Sequence, residues 1–122
     1  MKRILVVDDE RNLLRLYAKE LSEEGYQVLT ASSGREALEC LGGTTVDLVI
    51  LDIRMPEMDG LETLRQIMES PSSPPLILNT AYTMYKDNFL TWAADAYVVK
   101  SSDLSELKTK TSEILKRSAK TA

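Results

Sequence analysis

Histidine is absent from the 122-residue chain, and this absence excludes more kinds of site than any other feature of the composition. Without histidine there is no Ser-His-Asp or Cys-His triad, no imidazole metal ligand and no imidazole general base. Any chemistry at this chain must therefore use carboxylates, lysine, hydroxyl groups or a metal ion bound through oxygen atoms.

Cysteine and long apolar runs are also scarce. Cys40 is the only cysteine, so no disulfide can form within the chain, and we expect a packing role for Cys40 in a reducing, cytoplasmic compartment. No apolar run reaches the length of a signal peptide or a membrane span, so we expect no membrane partner.

Basic residues are fewer than acidic ones, with 15 Lys and Arg against 19 Asp and Glu. The net charge of -4 argues against direct binding of nucleic acid, because phosphate-backbone binding needs a clustered basic surface. The length suits one domain. We expect a single domain over residues 1–122, with a core from about 2 to 117 and no effector domain in this chain.

Short apolar runs alternate with longer segments of helical spacing along the chain. The apolar, β-branched runs predict five strands, at 3–7, 27–31, 47–51, 76–79 and 96–99. Helical spacing predicts five helices, at 11–25, 33–43, 60–70, 85–94 and 103 to about 116, followed by a frayed tail from about 118. This strict alternation predicts an α/β fold with a parallel sheet covered on both faces.

Several helix ends are marked by capping signals. Ser33 with Glu36, and Asp103 with Glu106, have the spacing of capping boxes. Gly25 follows the first helical segment as a stop signal.

Polar side chains follow four of the five predicted strands. Asp8 and Asp9 follow the first strand, Asp52 the third, Thr80 the fourth and Lys100 the fifth. Because right-handed crossovers bring all these strand ends to one edge of the sheet, we expect the five residues to converge there. Taken singly, each has a structural explanation, such as a helix N-cap for an aspartate or a solvated surface charge for the lysine. Their conjunction predicts a site in which Lys100 offsets repulsion among the acids.

This set of groups favours one kind of chemistry. Clusters of carboxylate oxygens suit Mg²⁺. A carboxylate can also attack phosphorus and form an aspartyl-phosphate. Phosphoryl transfer needs the charge on the phosphoryl oxygens to be neutralised, which a metal ion, a lysine and a threonine can do together. The residues therefore predict a site that holds a phosphoryl group on a carboxylate.

The sequence resembles the receiver domains of two-component response regulators over essentially its whole length. The segments that carry the resemblance are ILVVDDE, LVILDIRMPEMDG, LNTA and AYVVK, at the spacing that the family uses. The resemblance implies a flavodoxin-like, doubly wound (βα)5 fold whose five parallel strands have the order 2-1-3-4-5.

The resemblance also implies roles for individual residues. Asp52 is the implied phosphoacceptor, with Thr80 and Lys100 each contacting a phosphoryl oxygen. Thr80 and Tyr97 are the implied switch residues, because the Tyr97 side chain turns inward when Thr80 moves. A partly buried tyrosine on an edge strand is the alternative explanation for Tyr97.

Magnesium is the cofactor that the resemblance implies. Asp9, Asp52 and the backbone carbonyl of Arg54 are implied as direct ligands of Mg²⁺, and Asp8 acts through water.

The implied phosphoryl donor is a histidine on a sensor histidine kinase or a phosphotransfer protein, which fits the absence of histidine here. The domain would catalyse only its own phosphorylation and dephosphorylation, so it is a regulatory domain rather than an enzyme with a separate substrate. The implied output surface comprises the fourth helix, fifth strand and fifth helix. It would act on a downstream protein partner or on an effector domain missing from this chain, and a phosphorylation-dependent dimer is compatible with the resemblance.

Some positions depart from the family's usual pattern. Ser101 stands where the family usually places a proline. Arg54 and Tyr82 stand where the family's side chains flank the path of the attacking water, so these bulky residues predict slow dephosphorylation. The predicted fourth helix has an aromatic set with the spacing of a core stripe, for which a partner surface is the second interpretation: Tyr85, Phe89 and Trp92.

Three alternatives stay open. A phosphohydrolase with an aspartyl nucleophile typically needs a second acid two residues later, where Arg54 stands. A nucleotide- or flavin-binding module needs a phosphate cradle after the first strand, where Asp8, Asp9 and Glu10 would repel phosphate. A receiver that folds but serves only as a binding module is the stronger alternative, and no residue distinguishes it.

Overall fold

The computed structural model describes residues 1–52, 60–70, 73–81 and 94–121, with the backbone alone at 60, 61 and 118–121. The strands are β1 (Arg3–Val7), β2 (Gln27–Ala31), β3 (Leu48–Leu51), β4 (Leu76–Thr80) and β5 (Ala96–Val99). The helices in the described ranges are α1 (Arg11–Glu23), α2 (Gly34–Gly43), α3 (Gly60–Glu69) and α4 (Ser105–Thr121), the C-terminal helix. The fourth predicted helix, at 85–94, lies outside the described residues except for Ala94 at its end, which is not helical.

The five strands form one parallel sheet in the order β2-β1-β3-β4-β5, which confirms the predicted fold class. Along each central strand, successive side chains point to opposite faces, because the side-chain period of a strand is two residues. Both faces are covered, so both sets of side chains are apolar, and β1 and β3 are buried almost throughout.

Each face of the sheet carries its own core cluster. Leu5, Val7 and Leu78 pack with residues of α2 and α3 on one face, which we call the α2–α3 face. Ile4, Val6, Ile50 and Ile77 pack on the other, the α1 face, together with residues of α1 and of the C-terminal helix: Leu14, Tyr17, Leu21, Leu107, Ile114 and Leu115. Cys40 is half-buried and packs against the α2–α3 cluster.

Some predicted boundaries were wrong. The C-terminal helix begins at Ser105 and continues through Thr121, so the residues predicted as a frayed tail from 118 are helical up to 121. No proline or glycine follows Lys116 to end the helix. Asp103 lies outside this helix, where its carboxylate accepts a hydrogen bond from the backbone N–H of Ser105 at 2.9 Å.

The start of β3 and the end of β4 also differ slightly from the prediction. β3 begins at Leu48 rather than Asp47, whose carboxylate accepts from the backbone N–H of Arg3 at 2.8 Å. β4 extends to Thr80 because the ladder with β5 continues to the Thr80–Val99 pair.

The start of α2 follows the predicted capping box only in part. The Ser33 hydroxyl accepts from the backbone N–H of Glu36 at 3.1 Å, as expected for an N-cap. The Glu36 carboxylate, however, accepts from the backbone N–H of Ser32 at 2.7 Å rather than from that of Ser33. This bond, with a second one from the Ser32 hydroxyl, lowers the pKa of Glu36.

None of the helices in the described ranges has the length and apolar character that a membrane span requires.

Candidate functional site

The site lies at the carboxyl edge of the sheet, where backbone hydrogen bonds continue the ladder one residue past the strands. The Asp8 N–H donates to the Ala31 carbonyl at 3.1 Å, and the Asp52 N–H donates to the Val7 carbonyl at 3.0 Å. These bonds fix the backbone of both aspartates. Both residues are almost fully buried, with exposed fractions of 1% for Asp8 and 5% for Asp52.

Lys100 joins these two acids. Its Nζ lies 2.7 Å from Oδ2 of Asp8 and 2.8 Å from Oδ2 of Asp52. Its backbone is held by a 2.8 Å hydrogen bond from its N–H to the Thr80 carbonyl. Lys100, the cation that the sequence predicted near the acids, therefore reaches them from the end of the edge strand β5.

The charge of Lys100 is set by two opposing effects. Burial by itself lowers the pKa of the lysine, since it disfavours the charged form. The hydrogen bonds to Asp52 and Asp8 outweigh burial, so the pKa of Lys100 is held above its ordinary value. The ammonium group is therefore charged at neutral pH.

Asp9 completes a group of three carboxylates. One oxygen from each of Asp8, Asp9 and Asp52 lies within 4.8 Å of the others, and Asp9 is exposed, so the group opens to solvent. Such an all-oxygen set, open on one side, fits Mg²⁺, which takes one or two carboxylates and keeps several waters. The residues present therefore fit the metal ion that the resemblance implies.

The predicted switch residues lie on one face of the sheet. Thr80 is the buried last residue of β4, and Tyr97 on β5 is half-buried against the α2–α3 cluster. Tyr97 pairs with Leu78, two residues before Thr80, so strand alternation directs the side chains of Thr80 and Tyr97 to the same face.

The remaining predicted residues are only partly described. Arg54 and Tyr82 lie outside the described residues, as do Tyr85, Phe89 and Trp92. Ser101, which replaces the usual proline, accepts through its hydroxyl a hydrogen bond from the Asp103 N–H at 3.1 Å.

Sequence reasoning missed two buried polar residues near the site. Tyr17 of α1 and Asn79 of β4 have exposed fractions of 2% and 3%, and burial raises the pKa of the Tyr17 hydroxyl. The helical spacing of α1 identified Tyr17 only as a core residue. A polar Asn79 within the apolar run LILN was the available signal, because a buried amide needs a hydrogen-bond partner.

Comparison with known families gives a single answer. A family model described as the response regulator receiver domain matches residues 4–112. Response regulator ArlR of Staphylococcus saprophyticus is 37% identical over 118 residues, which are 96% of this chain and 54% of that protein. Regulatory protein AtoC of Escherichia coli is 38% identical over 109 residues, which are 88% of this chain and 24% of that protein. The chain thus spans about half the length of the first relative and a quarter of the second.

Solved structures of receivers have the same fold. Response regulator TrrA from Thermotoga maritima, in complex with Mg²⁺-BeF, is 49% identical with a TM-score of 0.89, covering 93% of this chain and 99% of that one. TrrA in complex with histidine kinase ThkA is 50% identical with a TM-score of 0.87, covering 94% and 99%. A CheY-like receiver domain from Methanospirillum hungatei is 30% identical with a TM-score of 0.92, covering 100% and 99%.

Proposed function

The chain belongs to the response regulator receiver domain family, and on that premise we propose that Asp52 accepts a phosphoryl group in a Mg²⁺-dependent reaction. The observation that carries this proposal is the bridge from Lys100 to Asp8 and Asp52, at 2.7 and 2.8 Å, beside a third carboxylate at Asp9. It supports the proposal because Asp52, the charged Lys100 and two further carboxylates lie together at one sheet edge. We also propose that residues 1–122 act as one regulatory unit.

The donor is a histidine on a partner kinase or phosphotransfer protein. This chain has no histidine, so the phosphohistidine must lie outside residues 1–122. The complex of TrrA with kinase ThkA is a precedent in a relative that is 50% identical. A carboxylate oxygen of Asp52 bonds to phosphorus as the bond from phosphorus to the donor nitrogen breaks, and that nitrogen keeps the electron pair.

The residues around Asp52 balance charge and hold the phosphoryl oxygens. Lys100 pairs with one phosphoryl oxygen, and the Thr80 hydroxyl binds another. Mg²⁺ would be held by Asp9, Asp52 and the Arg54 carbonyl and would supply further positive charge to the transferring group. Asp8 acts through water, which fits its geometry, because one Asp8 oxygen accepts from the Glu10 N–H at 2.9 Å and the other contacts Lys100.

Phosphorylation is signalled to other proteins by a change in one surface of the domain. Phosphorylation biases a linked rearrangement of Thr80 and Tyr97, and this alters the surface formed by the predicted helix at 85–94, β5 and the C-terminal helix. The location of Thr80 and Tyr97 on one sheet face supports such coupling. A downstream protein, or a further domain of a longer regulator, reads that surface.

The proposal is tested by intact mass after incubation with Mg²⁺ and acetyl phosphate. We expect one phosphoryl adduct on the wild type, no adduct without Mg²⁺, and none on Asp52→Asn. Asp47→Asn is the matched control, since Asp47 precedes β3 at the opposite sheet edge, and it should be phosphorylated normally. If the folded wild type took up no phosphoryl group, the domain would act as a binding module instead.

A further inference from the structure

A groove lies between α2 and α3 at the amino edge of the sheet, away from Asp52. We call it the α2–α3 groove. It has a volume of about 490 Å³, which is in the range of sites that hold small organic groups. The described residues in its walls carry no charge, and the apolar ones are Leu38, Leu41, Val46, Ile67 and Pro74.

Gly42 and Gly43 in the wall of this groove have no structural explanation within the described part of the chain. Of the glycines described, only Gly25 has a positive φ, so neither residue is needed for a left-handed turn. A Cβ added to either one would meet no atom within 4 Å, so neither makes room for a neighbouring element. Glycine also destabilises a helix relative to alanine. The reason that is left is close approach to the backbone by a molecule outside the described chain.

The end of α2 has backbone carbonyl groups that accept no hydrogen bond from the residues that the structure describes. They belong to Leu41, Gly42 and Gly43. The last carbonyl groups of a helix carry a partial negative charge. α3 ends at the same groove, which Ile67 and Ser70 line, and neither helix has a basic residue in its last turn. The α2–α3 groove therefore favours a cation.

An arginine side chain suits this groove better than a lysine. The planar guanidinium group has five N–H donors and is weakly hydrated, so it can bond to several carbonyl groups at once. The chain makes such a contact nearby, where the Arg3 guanidinium donates to the Thr45 carbonyl at 3.5 Å. Arg3 itself does not line the groove, and its Nε donates to Gln27. The apolar wall suits the stem of an arginine and an apolar neighbour.

We propose that the α2–α3 groove binds an arginine of a partner protein, on a segment that has an apolar residue beside it. The guanidinium caps the carbonyl groups at the end of α2, and the apolar residue packs against the apolar wall. Gly42 and Gly43 let the backbone of that segment come close. The inference goes beyond the proposed function, because the groove lies at the sheet edge opposite Asp52.

The test is an NMR titration of the ¹⁵N-labelled protein at physiological salt, without a phosphodonor. The probe is the peptide acetyl-Leu-Arg-Leu-amide, and a matched peptide has glutamine in place of arginine. Ethylguanidinium is the third probe. We expect the arginine peptide to shift the amide signals of the groove residues and the glutamine peptide to bind about fivefold more weakly, as for a typical interaction with a helix dipole.

Gly42→Leu and Gly43→Leu place a side chain where the segment would approach. Each should weaken binding of the arginine peptide by about tenfold, because the new side chain occupies the groove. Urea unfolding should show both variants to be at least as stable as the wild type, since leucine favours a helix and the added Cβ meets no atom. Ser22→Leu is the matched control, because Ser22 is an exposed residue near the end of α1, on the other face of the sheet.

Several results would overturn the inference. Equal affinity of the glutamine peptide would remove the role of charge, and wild-type affinity in both glycine variants would remove the role of the glycines. If ethylguanidinium bound as tightly as the peptide, the groove would be a site for small cations rather than for a protein segment. A lack of shifts at the groove with all three probes would also contradict it. None of these measurements involves phosphorylation of Asp52, so a failure of the proposed function would leave them unaffected.

Discussion

At the residue scale, the charge balance of the site depends on Lys100. Its side chain is 16% exposed, and those of Asp8 and Asp52 are 2% and 6% exposed, so solvent screens these charges weakly. Two buried carboxylates without a cation would repel each other and resist ionisation. Lys100 therefore holds a positive charge 2.8 Å from the Asp52 carboxylate.

Two further residues, Arg54 and Tyr82, are predicted to set the lifetime of the phosphorylated state. Both lie outside the described residues, and the prediction rests on the family resemblance. We expect Arg54→Asn combined with Tyr82→Ala to speed dephosphorylation by about tenfold, because smaller side chains let water approach the phosphorus more easily. The measurement is the decay of the phosphoryl adduct by intact mass, after the phosphodonor is removed. An unchanged lifetime would show that these side chains do not restrict the attacking water.

At the element scale, the end of α1 depends on a glycine. Gly25 has φ +96°, and its N–H donates to the Ser22 carbonyl at 3.0 Å while the Tyr26 N–H donates to that of Leu21 at 3.3 Å. This is the Schellman pattern, in which the residue after the helix takes a left-handed conformation. The stop signal that the sequence predicted at Gly25 is therefore present.

Gly25→Ala should lower the free energy of unfolding by about 1–2 kcal/mol, because an L side chain disfavours positive φ. No atom lies within 4 Å of the added Cβ, so the cost comes from the backbone conformation alone. Gly42→Ala is the control, since Gly42 lies in α2 with equally open surroundings and should tolerate alanine. Equal stability of Gly25→Ala and the wild type in urea would contradict this explanation of the α1 end.

The first turns of α3 contain a cluster of charged side chains that makes the free energy of unfolding depend on pH. Hydrogen bonds from Arg65 and Gln66 lower the pKa of Glu62 to about 2. Because the pKa of the folded state is depressed, the stabilisation is present above the ordinary pKa of 4.5 and is lost as the pH falls towards 2. The Glu62 side chain is 39% exposed, so salt should weaken the effect.

We therefore expect Glu62→Gln to be less stable than the wild type at pH 6 and to approach it in stability at pH 3. The measurement is urea unfolding at these two pH values, with and without 0.5 M salt. The added salt shortens the distance over which charges interact to less than the ~8 Å of physiological salt, so it should reduce the difference at pH 6. Glu39→Gln is the control, because Glu39 pairs with Arg35 on an exposed surface of α2. A stability gap that was unchanged between the two pH values would exclude ionised Glu62 as its cause.

At the scale of the whole molecule, the convergence of the strand ends at one edge of the sheet explains why most of the site could be predicted from the sequence. Residues after strands, such as Asp8, Asp52 and Lys100, were found because the topology of a parallel sheet brings strand ends together whatever the details of packing. The β-branched runs were equally clear, because both faces of this sheet are buried. Boundaries were less certain, as the helical residues after Lys116 show, since no residue there forces a stop.

Contacts between elements could not be predicted in the same way. The ion pair between Lys108 and Glu20 joins residues 88 positions apart, and it depends on how the C-terminal helix lies beside α1 rather than on any local pattern. The bond from Glu36 to Ser32 instead of Ser33 depends likewise on side-chain geometry. Sequence periodicity identifies which face a residue occupies, but a side-chain partner on another element follows only from the fold.

The central claim is that the phosphoryl group resides on Asp52, and locating it on the chain tests this most directly. We would phosphorylate the protein with Mg²⁺ and phosphoramidate, whose phosphorus–nitrogen bond resembles that of phosphohistidine, reduce the acyl phosphate with borohydride and map the product by peptide mass. The expected result is homoserine at position 52 in the wild type alone, with Asp52→Asn unmodified. Reduction at Asp8 or Asp9, or an adduct that persists in Asp52→Asn, would contradict the claim.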